Sequence, residues 1–225
     1  MENEYSAADI TVLEFRESVR RHPGMYFGIG PTHPDFPTRV LRRLIEWQLA
    51  PAPSVRAGRV LRTVADIHGP LAFTVTDDHP DLPEPGTPMG GYFDSLLARD
   101  RWLHAAIAAI STRTAVESWN HSRALRQQLD GTTPTAPARP VPARPGAGTR
   151  IAFHLDPAYL GPNAAITTDL TAFIPPDLAD AKAHDIGGHI TIRDHRTPSG
   201  VRLRLLSRNP RVLDPRSRQN PCRLR

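Results

Sequence analysis

The chain has almost no cysteine and no long apolar run. Cys222 is the single cysteine, so neither a disulfide framework nor a cysteine-based metal site can form within one chain. The apolar runs are far shorter than the roughly 20 residues that a membrane-spanning helix needs. The opening Met-Glu-Asn-Glu lacks the basic and apolar regions of a signal peptide. We therefore expect a cytoplasmic protein with no membrane partner.

Lysine is also nearly absent, and the positive charge is carried by arginine. Lys182 is the only lysine among 28 basic residues, and the formal net charge is +5. Two interpretations stay open. GC-rich coding favours Arg, Ala and Pro together, whereas an anionic partner such as DNA would favour guanidinium groups because they pair well with phosphate. The basic segment from Arg202 to Arg225 fits both, and we predict a disordered tail over residues 207–225.

Hydrophobic periodicity predicts several helices. Val12, Phe15 and Val19 recur at spacings of three and four, which indicates a helix over 10–21 that ends at Pro23-Gly24. The same pattern predicts a second helix over 38–50. Further helical stretches are expected over 92–111 and over about 164–184, the latter interrupted by two adjacent prolines.

The remaining periodic segments are β-rich. They predict a hairpin of 59–65 and 71–76 around Asp66–Gly69, strands over 114–119, 123–129 and 149–155, and a last hairpin of 189–193 and 201–206. Residues 132–147 are low in complexity and are expected to form a loop. Helices mixed with hairpins favour an α+β fold, with a mixed, mostly antiparallel sheet and helices on one face.

The most specific pattern lies near the N-terminus. The run Val19-Arg20-Arg21-His22-Pro23-Gly24-Met25-Tyr26-Phe27-Gly28 closely resembles the Val-Arg-x-Arg-Pro-Gly-Met-Tyr-Ile-Gly signature of the ATPase subunits of DNA gyrase (gyrase B) and topoisomerase IV. In that family a preceding arm crosses a dimer, and its tyrosine touches the partner's nucleotide. Tyr5 stands where that tyrosine would be.

Shorter blocks continue the resemblance in order. They are Val75–Pro83 (similar to Val-x-Asp-Asp-Gly-Arg-Gly-Ile-Pro), Trp102–Ile107 (the ATP-lid motif), Arg126–Gly131, Gly148–Phe153 and Gly188–Asp194. The resemblance implies the two-layer α/β sandwich of the GHKL (Bergerat) superfamily. It divides the chain into an N-terminal arm and first helix (1–28), a degenerate ATPase-like domain (29–206) and the basic tail (207–225).

The resemblance implies two residues for adenine recognition. In the family an aspartate accepts a hydrogen bond from the amino group of the base, with help from a threonine, and Asp77 and Thr149 match those positions. A buried carboxylate facing a base edge is a specific acceptor. The alternative is that Asp77-Asp78 simply ends a strand, as Asp often does.

The phosphate and catalytic positions depart from the family pattern. Arg42 stands at the position of the general-base glutamate, and arginine cannot accept a proton. Glu46 stands at the position of the Mg²⁺-binding asparagine. A carboxylate suits Mg²⁺ but adds negative charge beside the triphosphate. The alternative is that Arg42, Arg43 and Glu46 form a solvated helix face.

The lid glycines, whose backbone N–H groups would approach the phosphates, are replaced by Ala105 and Ile107. His104 lies between Leu103 and Ala105. A single histidine without a supporting motif is more often a structural residue than a catalytic one.

These departures predict a gyrase-B-like domain with weak or no nucleotide binding and no hydrolysis, although the family activity is that of an ATP-hydrolysing DNA topoisomerase. ATP is the cofactor that the resemblance implies, with Asp77, Thr149, Tyr5 and Glu46 as its contacts; Mg²⁺ has less support. The alternatives are a non-catalytic module that forms a homodimer through the N-terminal arm, acts on a gyrase subunit or binds DNA non-specifically, and a gene product without function.

Overall fold

The described part of the chain folds into a large mixed sheet with its α-helices on one face. The computed structural model describes residues 13–49, 61–174, 186–197 and 200–208. In this part lie the helices α1 (Phe15–Arg21), α2 (Pro23–Phe27), α3 (Phe36–Leu49) and α4 (Trp102–Ala109) and a 3₁₀ turn (Leu170–Phe173). The strands are β1 (Arg62–Gly69), β2 (Ala72–Asp77), β3 (Ser111–Trp119), β4 (Ala124–Asp130), β5 (Thr133–Pro134), β6 (Arg139–Pro140), β7 (Gly148–Leu155), β8 (Ile186–Asp194) and β9 (Val201–Arg208).

The sheet is mostly antiparallel. Its strand order is β5-β4-β3-β7-β2-β1-β8-β9, and β6 also pairs with β4. The neighbours β1 and β8 run parallel, whereas the other paired strands run antiparallel. This confirms the predicted class of a mixed α and β protein built on a mostly antiparallel sheet.

The two faces of the sheet differ because side chains alternate along each strand. One face is apolar and packs against α3 and α4. It carries fully or nearly fully buried side chains: Ile67, Phe73, Val75, Val116, Ile151, Phe153, Ile190 and Ile192. The alternate residues point to the opposite side, on which none of the described helices lies. We call that side the open face.

The helix α3 supplies the main apolar surface of the helical layer. Val40, Leu41, Leu44 and Ile45 are at most 1 % exposed, and they recur at helical spacing. This confirms the helix predicted over 38–50, which begins two residues earlier, at Phe36. Among the described residues no helix has both the length and the apolar character to cross a membrane.

The helix α4 is much shorter than the stretch predicted over 92–111. It begins at Trp102, because the preceding residues form an irregular loop in which Phe93 and Asp94 have positive φ angles of 57° and 50°. The Tyr92 N–H donates to the carbonyl of Leu97 and closes this loop. The prediction over about 164–184 was also wrong for the described part, which holds the 3₁₀ turn; residues 175–185 lie outside the described residues.

The hairpins were predicted correctly, but their turns were not all placed correctly. Residues 66–69 belong to β1, and the turn lies at Pro70-Leu71. The buried alternation of Thr63, Ala65 and Ile67 carries the strand past Asp66, whose side chain lies on the open face. The predicted loop 132–147 contains two short strands that pair with β4.

Two predictions at the ends of the chain fall largely outside the described part. The first helix starts at Phe15, and residues 1–12 lie outside it. The strand β9 continues to Arg208, two residues into the predicted tail, and residues 209–225 also lie outside the described part.

Candidate functional site

Asp77 and Thr149, the two residues expected at the adenine pocket, lie side by side. They are paired positions on the neighbouring strands β2 and β7. Asp77 is 4 % exposed and Thr149 is 1 % exposed. The fold therefore brings them together, but neither offers a surface to solvent in this conformation.

The space beside Asp77 is filled by Arg101, which precedes α4 and is 2 % exposed. Its Nη1 donates to Asp77 Oδ2 at 2.6 Å, and its Nη2 donates to Asp77 Oδ1 at 2.9 Å. Its Nε donates to Asp81 Oδ2. This bidentate pairing is the strongest geometry available between a guanidinium group and a carboxylate. Asp77, Asp81 and Arg101, together with Ser118 and Thr149, are called the Arg101 cluster below.

The carboxylate of Asp77 has no acceptor capacity left. Besides the two hydrogen bonds from Arg101, Oδ1 accepts from the His79 backbone N–H at 3.1 Å, and Oδ2 accepts from Gln48 Nε2 at 3.2 Å. An ionised carboxylate offers about four lone-pair sites. An amino group of a ligand could bind Asp77 only by displacing one of these donors.

Thr149 is tied into the same cluster. Its hydroxyl contacts the His79 carbonyl at 2.7 Å, Asp81 Oδ2 at 3.2 Å and Ser118 Oγ at 3.1 Å. Ser118 Oγ also accepts from the Asp81 backbone N–H at 2.7 Å. The hydroxyl of Thr149 therefore braces the loop after β2 against β7.

One cation compensates two buried carboxylates in this cluster. Burial would raise the pKa of Asp77, but the charge and hydrogen bonds of Arg101 outweigh burial and lower it. For Asp81 burial dominates and, with the nearby charge of Asp77, raises its pKa despite Arg101. Burial would lower the pKa of Arg101, but the two carboxylates raise it. Arg101 is therefore a permanent cation here.

His104 is a core residue. It is completely buried, its ring centroid lies 5.2 Å from that of Trp47, and its Nε2 is 3.5 Å from Gln48 Nε2. Burial, and secondarily the charge of Arg101, lowers the pKa of His104 to about 3. A histidine that stays neutral and closed off from solvent fits the structural interpretation.

The positions expected at the phosphates are occupied by structural contacts. Glu46 Oε1 accepts from Arg42 Nε at 3.1 Å, and its Oε2 accepts from Arg43 Nη1 at 2.9 Å. The side chains of Arg42, Glu46 and Arg43 are 22 %, 24 % and 46 % exposed, so these ion pairs lie on a partly exposed face of the helix. Ala105 and Ile107 lie inside α4 and are fully buried. Tyr5 lies outside the described residues.

In this conformation the residues do not fit ATP. Asp77 is paired with Arg101, the Thr149 hydroxyl is bonded to His79, Asp81 and Ser118, the lid segment is a buried helix, and Glu46 is paired with two arginines. Among the described residues no group of three or more His, Cys, Asp or Glu side chains could hold a metal ion. Nucleotide binding through Asp77 and Thr149 stays a prediction. Such binding would require the Arg101 side chain to be displaced from Asp77.

The sequence reasoning missed Arg101 and Asp81. A lone arginine before an apolar run carries no signal, because its partners lie 20 and 24 residues away in the chain. Asp81 was visible only as part of the His79-Pro80-Asp81 run that replaces two family glycines.

No protein-family model matches the chain, and no curated protein matches it significantly. The resemblance to the gyrase B ATPase domain therefore depends on the quoted sequence blocks.

Proposed function

We propose that this chain is a non-catalytic binding module with a gyrase-B-like fold, in which the residues of the former base pocket serve as an internal brace. The observation that supports this most strongly is the two-point ion pair between Arg101 and Asp77, with distances of 2.6 and 2.9 Å. It gives the aspartate a structural partner in place of a ligand.

The energetics of buried ions make this brace hard to open. Removing one partner from a buried ion pair leaves an uncompensated charge and costs about 3–5 kcal/mol. A nucleotide that displaced Arg101 from Asp77 would leave the charges of Arg101 and Asp81 without their present partners. Its binding would have to offset the free-energy cost of both. Such a loss lowers an affinity by roughly 10²- to 10³-fold or more.

The catalytic positions support the same proposal. Arg42 cannot act as a general base, and its guanidinium group is paired with Glu46. Any hydrolysis would need a base that the matched positions do not supply.

The test is calorimetric titration of ATP and ADP, with Mg²⁺, into the folded full-length protein and into Asp77→Asn. We expect no saturable heat for either protein at nucleotide concentrations up to about 1 mM, which bounds the binding free energy at about −4 kcal/mol. Saturable binding by the wild type that disappears in Asp77→Asn would overturn the proposal, because it would show that Asp77 holds a nucleotide.

A further inference from the structure

The open face of the sheet carries an array of arginines. The strand registers place them on the side opposite the helices, on six strands and on the short seventh strand β6, which pairs with β4. With Arg144, which contacts the same face through Glu117, the set is Arg62, Arg113, Arg126, Arg139, Arg144, Arg150, Arg193, Arg202 and Arg204.

Carboxylates on the open face neutralise few of these arginines. The same registers place Asp66, Glu117 and Asp130 there, and Asp78, which follows β2, accepts a hydrogen bond from the Arg62 backbone N–H at 3.1 Å. Glu117 pairs with Arg144 at 2.6 Å, and Asp66 lies 3.9 Å from Arg193. The other seven arginines form no salt bridge within the described part of the chain. Unpaired guanidinium groups on one surface attract a polyanion.

Most of the arginines flank a central strip of small side chains. Ala72, Thr76, Ala115 and Ala152 occupy the open face of β2, β3 and β7 and are partly exposed, whereas Thr74 among them is only 2 % exposed. One arginine group lies on β3, β4 and β6 and another on β8 and β9, with Arg150 on β7 and Arg62 on β1 between them. Six strand-to-strand steps separate β4 from β9, which at about 4.8 Å each span roughly 29 Å. Small central residues allow a rigid partner to approach both groups at once.

One end of the array contains a depression of about 350 Å³. Its charged lining residues are Arg113, Arg126 and Arg139, and Gln128 and Thr135 add further polar groups. No carboxylate lines it. The guanidinium and amide N–H groups are the donors that phosphate oxygens accept.

The surface fits a duplex better than a single strand. Proteins that bind single strands stack the bases on exposed aromatic rings. Trp119 is 7 % exposed, and Arg144 lies over its ring at 5.4 Å from the centroid. His68 and His195 stack on each other at 5.5 Å. Neither the indole nor this histidine pair presents a free stacking platform.

We propose that the open face binds the phosphate backbone of duplex DNA without reading its sequence. A duplex carries one negative charge per about 1.7 Å of its axis, counted over both strands, so a length of roughly 29 Å carries about 17 phosphate charges, of which those on the facing side can contact the array. Contacts from arginine to phosphate fix a protein on the duplex but carry no base information.

The experiment measures fluorescence anisotropy of a labelled 24-base-pair duplex against the full-length protein between 50 and 200 mM salt. The test variant is Arg126→Glu/Arg150→Glu/Arg204→Glu on the open face. The matched control is Arg16→Glu/Arg21→Glu/Arg43→Glu on the helical side. Both variants change the net charge equally. A difference in their duplex affinity therefore depends on where the substituted arginines lie and not on the total charge. A third variant, Arg211→Ser/Arg216→Ser/Arg218→Ser, tests the C-terminal arginines.

We expect the open-face variant to lose at least about tenfold in affinity and to reduce the salt slope by about 2 to 3, since each phosphate contact contributes roughly 0.9. The helical-side and C-terminal variants should stay within about threefold of the wild type. The single-stranded 24-mer should bind more weakly than the duplex. Circular dichroism confirms that each variant is folded.

Several results would overturn the proposal. They are the absence of binding at 50 mM salt, equal losses in the open-face and helical-side variants, loss confined to the C-terminal variant, and tighter binding of the single strand than of the duplex. Binding of poly-glutamate but not of DNA would assign the face to an acidic protein segment instead. None of these results bears on nucleotide binding, which is measured separately.

Discussion

Arg101 holds two carboxylates in a place from which water is excluded. Its planar fork satisfies Asp77 with two parallel hydrogen bonds while Nε reaches Asp81. A lysine at this position could not reproduce the bidentate geometry. Most of the cluster's importance lies in the cost of breaking it, since an intact buried ion pair contributes little net stability over an apolar replacement.

Replacing Arg101 alone should therefore destabilise the fold strongly. Arg101→Met leaves Asp77 and Asp81 buried without a cation, and we expect a loss of about 3–5 kcal/mol in the free energy of unfolding, measured by urea titration. Arg42→Met is the control, because it breaks a partly exposed pair and should cost at most about 1 kcal/mol. Equal small losses in the two variants would contradict a structural role for the cluster.

His104 should make stability depend on pH. Its pKa is about 3 in the fold, below its ordinary value of 6.5. The stability it contributes is fully present above pH 6.5, and it is lost as the pH falls toward 3 because the unfolded chain binds the proton first. Between pH 6.5 and 4.5 the wild type should lose about 2 kcal/mol through this residue.

The measurement compares urea unfolding of the wild type and of His104→Leu at pH 7 and 4.5. The variant should lose roughly 2–3 kcal/mol less than the wild type over this range. The other titrating groups are common to both proteins, so they largely cancel. Identical pH dependences would show that His104 is protonated within the fold.

At the scale of elements, the start of β7 is packed too closely for a side chain. A Cβ on Gly148 would meet the backbone oxygen of Asp77 and, at 2.8 Å, the indole ring of Trp119. Close packing therefore explains the glycine of the Gly148-Thr149 motif without any ligand.

Gly148→Ala should cost about 1–3 kcal/mol in thermal or urea unfolding, because overpacking forces the neighbouring strand to move. Gly90→Ala is the control: its Cβ would have no neighbour within 4 Å, and its φ is not positive. A near-zero effect in both variants would mean that β7 can shift without penalty.

The strongly periodic elements could be predicted from the sequence, and the irregular ones could not. The alternation in β1, β2 and β7 and the apolar stripe of α3 record burial on one face, which is a local pattern. The loop before α4 is held by the contacts of Arg101 and by the Tyr92–Leu97 bridge, and nothing local encodes them. For this reason the prediction extended α4 by about ten residues.

The sequence predicted where the candidate site lies, but not that its polar groups are already hydrogen-bonded within the protein. The family resemblance assigned Asp77 and Thr149 to one site, and the pairing of β2 with β7 places them side by side; these strands are distant in the chain, so no hairpin pattern encodes their register. That the acceptor positions of Asp77 are already occupied depends on the neighbouring His79 and on Arg101 and Gln48, which come from two distant segments. A sequence motif indicates where a residue lies, but it does not indicate which side chains occupy that residue's hydrogen-bonding positions.

At the scale of the whole molecule, our proposals give the two faces of the sheet separate roles. The apolar face packs against α3 and α4 and holds the Arg101 cluster, which we propose to be structural. Among the described residues, the open face carries most of the arginines that form no salt bridge. A change in the cluster should therefore alter stability without altering duplex binding by molecules that remain folded, and charge reversal on the open face should do the opposite.

That separation is testable with one variant. Asp77→Asn should lower the midpoint of thermal unfolding and leave duplex affinity at 100 mM salt within about twofold of the wild type, when both are measured well below their melting temperatures. A large loss of affinity in a folded Asp77→Asn protein would show that the cluster and the open face are coupled.

The most direct measurement for the central claim is the thermal unfolding midpoint of the wild type and of Asp77→Asn, each with and without 5 mM MgATP. A ligand that binds only the native state raises the midpoint, and at 100 times its Kd it adds about 2.7 kcal/mol of stability. If Asp77 is a structural brace, the variant melts several degrees lower than the wild type, and MgATP moves neither midpoint. If MgATP raises the midpoint of the wild type, and Asp77→Asn abolishes that rise without lowering the ligand-free midpoint, then Asp77 is a nucleotide ligand and the account is wrong.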